Sequence, residues 1–74
     1  MLFDKEKLSS YMKQNDITNV ALARQLSVSE GAVRHIVTGI KQPSLAMTYQ
    51  IAKIMNCTID ELIKKGETYV KDNM

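Results

Sequence analysis

Glu30, Gly31, Arg34 and His35 bring a carboxylate, a bare backbone position, a guanidinium and an imidazole into one short stretch of the chain. At these spacings all four fall on one side of a helix. Arg34 and His35 can reach the base edges or the phosphates of a nucleic acid. Glu30 has two readings: its carboxylate accepts from the N4 amino group of cytosine, and it also favours a helix N-terminus through the macrodipole. Gly31 costs a helix about 1 kcal/mol relative to Ala and presents no side chain, which suits a place where the backbone itself approaches a partner. The chemistry is recognition by hydrogen bond and charge.

Catalysis has no comparable basis. No nucleophile stands with a histidine base beside it, no acids are paired in a predicted pocket, and there is no glycine-rich phosphate loop. His35 is the only histidine and lacks Cys, Asp or Glu at metal-ligand spacing, while Cys57 is the only cysteine and has no disulfide partner. Cys57, Met47 and Met55 read as core filling. The expectation is a protein that is not an enzyme and holds no cofactor or metal.

Five predicted helices position the recognition face, and their ends are marked by capping residues. Asp4 caps a first helix to about Gln14, in which Leu8, Tyr11 and Met12 form an apolar stripe, and Asn15 and Asp16 break it. Thr18 caps a second from about Asn19 to Leu26, with Leu22, Ala23 and Leu26 inward. Ser27 and Val28 connect to a third, capped by Ser29 and running to about Val37, with Val33, Ile36 and Val37 inward; Thr38 and Gly39 end it. Pro43 disfavours helix at Gln42, and Ser44 caps a fourth helix from near Leu45 to about Met55. Its apolar face is Met47, Ile51, Ile54 and Met55, and Asn56 suits the left-handed position that follows. Thr58 and Glu61 have capping-box spacing, predicting a fifth helix from about Ile59 to Lys65 that stops at Gly66. No strand-like alternation, repeat or low-complexity tract interrupts this, so the fold class is all-α, a compact five-helix domain over residues 1–66 with a tail at 67–74.

Within residues 18–37, the stretch ALARQL, then SVS, then EGAVRHI, places two short helices about three residues apart. So tight a connection forces a steep crossing, which needs a small residue such as Ala23, with Val33 and Ile36 filling the angle. Glu30, Gly31, Arg34 and His35 are then left on the outward face. A protruding helix one major groove wide, with its first turn at the base edges, is how such a pair obtains sequence information.

Over Leu8 to Ile63 the chain resembles the helix-turn-helix family of phage Cro and repressor proteins, which also contains many small bacterial regulators. TNVALARQLSVSEGAV looks like the family's helix-turn-helix, TGIKQPSL like its following loop, and IAKIMNCTIDELI like its last two helices. Carried over by position, the resemblance implies base contacts from Glu30, Gly31 and His35 with Arg34 adjacent, and phosphate contacts from Asn19, Thr38, Lys41 and Ser44. Asn19 is also an ordinary polar first-turn residue, and Arg34 and Lys41 also read as solvated cations. Three features depart from the pattern. Ser27 stands where the family usually has Gly in the turn, Gly31 lies inside the reading helix, and Met12 and Val37 replace a buried Arg and Glu found in many relatives. Loss of both charges together leaves none stranded, so the packing should survive.

The 74 residues are 45% hydrophobic and 24% charged with three Gly and one Pro, the composition of one folded domain. The net charge of +2 is compatible with nucleic acid without demanding it, and between Thr18 and Gln50 the only acid is Glu30. No run suits a membrane span or a signal peptide, so a cytoplasmic location is expected. One small module neutralises few phosphates, so the expected partner is double-stranded DNA bound by a homodimer, one reading helix per half-site of a roughly palindromic operator. Ile59, Ile63, Tyr69 and Val70 are the expected dimer contact, and no small-molecule ligand is evident. Repressor, mobile-element regulator, restriction controller and antitoxin all fit. The alternative is a protein-interaction module that uses the same fold to bind another regulator.

Overall fold

The first hydrogen bonds of each helix come from side chains. In the computed structural model, which describes residues 2–64, the helices are α1 (Lys5–Gln14), α2 (Asn19–Leu26), α3 (Glu30–Thr38) and α4 (Leu45–Met55). Asp4, Thr18, Ser29 and Ser44 each accept from the backbone N–H three residues ahead, at 3.2, 3.1, 3.1 and 3.1 Å. Four of the five expected caps therefore open α-helices, because each supplies an acceptor to an N–H that has none within the helix.

Each helix is followed by a residue in the left-handed region: Asp16, Ser27, Gly39 and Asn56, with φ of 54, 59, 87 and 57°. After α2, the Val28 N–H donates to the Ala23 carbonyl at 3.0 Å and the Ser27 N–H to the Arg24 carbonyl at 3.2 Å. These two bonds turn the chain sharply and satisfy the last carbonyls of α2. After α4, Cys57 and Asn56 donate in the same pattern to Ala52 and Lys53 at 2.9 and 3.2 Å.

Leu8 and Met12 of α1, Leu22, Ala23 and Leu26 of α2, and Val33 and Ile36 of α3 form the core with Ile51 and Ala52 of α4. Ala23 is buried, and α2 packs on α3. Met12 is buried and Val37 half-buried against the same core, so both of the positions that lost a charge are filled by apolar packing. Two inward faces differ from expectation. Tyr11 is half-buried and its hydroxyl donates to the Ile54 carbonyl at 3.1 Å. On α4 the buried residues are Thr48, Ile51 and Ala52, while Met47, Ile54 and Met55 are half-buried. Thr48 tolerates complete burial because its hydroxyl donates to the Ser44 carbonyl at 2.8 Å within the helix.

The fifth expected helix is instead a single 3₁₀ turn, Asp60–Leu62. Thr58 caps it as the spacing predicted, accepting from the Glu61 N–H at 3.3 Å. Ile63 then takes an extended conformation and pairs antiparallel with Phe3. The Asp4 N–H donates to the Leu62 carbonyl at 2.7 Å and the Lys64 N–H to the Leu2 carbonyl at 2.8 Å. So short a helix gains little by itself, whereas a single turn that ends at the fully buried Leu62 lets the extended Ile63 join two otherwise unpaired segments. Phe3 also enters the core by this route. Lys65 and Gly66, the expected end of that helix, lie outside the described residues. Among the described residues, no helix is long and apolar enough to cross a membrane.

Candidate nucleic-acid interface

The sharp turn at Ser27 decides where α3 points. Its core side, Val33 and Ile36, is buried against α1 and α2, so the opposite side must face solvent. Arg34 and His35 are exposed, and Glu30 and Gly31 are partly exposed beside them. The four expected reading residues thus share one surface. Ser27 reaches the left-handed turn despite its side chain, at the modest cost of that region for a non-glycine residue.

Gly31, His35, Lys41 and Ser44 line one groove of about 480 Å³, together with the cap Ser29 and loop residues Gln42 and Pro43. The N-terminal ends of α3 and α4 both border this groove. Backbone N–H groups and partial positive charge there favour an anionic partner, and Lys41 adds a full charge. The Ser44 oxygen is engaged as an acceptor from the Met47 N–H, which leaves its hydroxyl hydrogen to donate outward.

The remaining expected residues are placed differently. Arg34 and Glu30 form an ion pair across one turn of α3. Thr38 is exposed, but its hydroxyl donates to the Arg34 carbonyl at 2.8 Å, so that hydrogen is already engaged within the helix. Asn19 begins α2 and does not line the groove. Of the expected dimer contacts, Ile59 is half-buried against the core and Ile63 is half-buried in the pairing with Phe3, while Tyr69 and Val70 lie outside the described residues.

Gln42 is a groove residue that sequence reasoning passed over. Its side-chain carbonyl accepts from the Phe3 N–H at 2.8 Å, which ties the loop between α3 and α4 to the N-terminal segment and leaves the amide hydrogens free to donate. Nothing local in IKQP signals this bond, because its partner is 39 residues away. Ser29 carried a signal as a cap, but its place on the groove follows from the approach of the α3–α4 loop.

A family model described as helix-turn-helix matches residues 8–62, from the first core residue of α1 to the end of the 3₁₀ turn. Neither the curated proteins nor the solved structures yield a match to the chain.

Proposed function

The chain belongs to the helix-turn-helix family of phage Cro and repressor proteins, which are DNA-binding regulators, and from that premise we propose that it represses transcription by binding a roughly palindromic operator as a homodimer. The carrying observation is the outward surface of α3, where Arg34, His35, Gly31 and Glu30 lie next to a groove bearing Lys41 and Ser44. In this reading α3 enters the major groove. Arg34 and His35 face base edges, Gly31 lets the backbone approach, and Lys41, Ser44, Thr38 and Asn19 meet phosphates. Thr38 must exchange its internal bond for a phosphate to take part. Two copies place two α3 helices in half-sites one helical turn apart. The dimer contact is assigned to Ile59, Ile63, Tyr69 and Val70, and the exposed Tyr49 of α4, which lines a shallow groove with Ile59, is added to it.

Selection of binding sites from random duplex DNA tests the proposal. An enriched, two-fold symmetric motif is expected. Arg34→Ala or His35→Ala should alter the preferred bases, and Lys41→Ala should weaken binding to all sequences alike. Absence of any enriched motif at low salt would refute it. Exposure of Leu45 and Tyr49 on α4 favours a second reading, a module that binds another regulator through that face. Salt separates the two: contacts to several phosphates weaken steeply as salt rises, and an apolar protein contact does not.

A further inference from the structure

The ion pair between Glu30 and Arg34 lies in the middle of the surface assigned to base reading, with side chains 40% and 53% exposed. Nη1 of Arg34 donates to Oε1 of Glu30. Nη2 lies 3.7 Å from where a Cβ on Gly31 would stand, so the guanidinium folds back along the helix over the one residue without a side chain. One branch of the arginine fork is therefore engaged within the protein and its charge is matched, while the other donors stay available. A free arginine on such a surface bonds any phosphate oxygen and so strengthens binding to every sequence. A paired one is different. Its carboxylate partner is repelled by phosphates, while the donors that the pair leaves available can meet a base that offers two acceptors at once, as guanine O6 and N7 do.

Resting on the reading of α3 as the DNA-reading element, we propose that Glu30 determines specificity as a positioning residue for Arg34. It withholds the guanidinium from phosphates of unrelated DNA and aims it at a guanine edge, and it is not itself a reader of cytosine. In solvent an exposed pair of this spacing is worth only about a twofold bias in the position of Arg34. Water exclusion at a protein–DNA surface strengthens it.

The test uses the full chain in four forms: wild type, Glu30→Gln, Arg34→Ala and the double variant. Gln keeps the length of the side chain, and the Ser29 cap that starts α3 is untouched. Each form is titrated with a duplex carrying the motif selected by the wild type and with an unrelated duplex, across a salt series. We expect Glu30→Gln to tighten binding to the unrelated duplex about two- to fivefold and to steepen its log–log salt slope by up to about one, the effect of one added phosphate contact. The ratio of motif to unrelated affinity should fall, and in the Arg34→Ala background Glu30→Gln should leave that ratio unchanged. A Glu30→Gln effect of the same size with and without Arg34 would show Glu30 acting only as a repelling charge and would overturn the proposal. So would equal tightening on both duplexes. In either case the wild type still selects a motif, which separates this failure from failure of the DNA-reading assignment, where no motif is selected and both fall.

Discussion

Two residues on the helix pair were chosen against local stability, and each yields a prediction. Gly31 is helical, and a Cβ there would meet nothing closer than 3.7 Å, so nothing in the fold requires glycine. Gly31→Ala should raise stability by up to about 1 kcal/mol, read as a higher melting temperature. If the α3 backbone approaches DNA, the same variant should bind the selected motif more weakly, and tighter binding would count against that approach. Ser27 already adopts the left-handed turn with φ of 59°, so Ser27→Gly should stabilise by up to about 1 kcal/mol and leave the selected motif unchanged. Gly39 is different. Its φ is +87°, a backbone conformation that L side chains rarely adopt, so glycine is favoured there by conformation, while the flexible Lys5 chain, whose Cε would stand 2.8 Å from a Cβ, can move aside. Cys57 bears on pH. Burial raises its thiol pKa, Glu61 adds to the rise, and Lys7 opposes it. The folded state therefore favours the protonated thiol, so its contribution is complete below the unfolded thiol's pKa and is lost as pH rises through the raised folded value. Iodoacetamide should label Cys57 slowly at neutral pH and faster only in alkali; rapid labelling at neutral pH would contradict this.

At the scale of elements, α3 has nine residues and owes its position to its ends and to α2. Ser29→Ala removes the acceptor for the Ala32 N–H and should cost about 1 kcal/mol, a fall in melting temperature of about 4–8 °C for a domain of this size. Because the cap also borders the groove, the variant should lose DNA affinity even at temperatures where it is fully folded. An affinity that tracks only the folded fraction would limit Ser29 to the cap. Ala23 gives a contrasting case. It is a small, buried residue of α2, which packs on α3, so a larger side chain there would overpack the core and disturb the placement of the two helices.

Across the whole molecule, the segments at either end of the described chain hold each other. Phe3 and Leu62 are both core residues and meet through the pairing of Phe3 with Ile63. Leu62→Ala should cost about 2–5 kcal/mol, a large share of the stability of so small a domain, and Ile59→Ala distinctly less because Ile59 is only half-buried. Chemical denaturation would rank the two, and the reverse order would contradict the packing described. Assembly belongs to this scale as well. Tyr49 is 54% exposed with the Lys53 ammonium 5.6 Å from its ring centre, so Tyr49→Glu should leave the fold intact and shift the proposed dimer toward monomer in sedimentation. An unchanged dimer would place the contact on another surface.

The sequence by itself determined what short-range physics controls. Asp4, Thr18, Ser29 and Ser44 could be identified as caps because a cap needs only an acceptor and N–H groups within three residues. The inward stripes of α2 and α3 followed from helical spacing, and the outward side of α3 followed from them. Tertiary structure decided whatever depended on distant partners. It turned the expected fifth helix into a 3₁₀ turn because the Leu2 carbonyl and the Asp4 N–H supply hydrogen bonds that no local pattern announces. It turned the buried side of α4 toward Thr48 and Ala52, through packing against α2 and a hydroxyl satisfied within the helix. Folding also brought the loop residues Lys41 and Gln42 to the groove beside α3. Helix ends are governed by neighbours in the chain, whereas a binding surface is assembled from elements whose relative placement only the packed core sets.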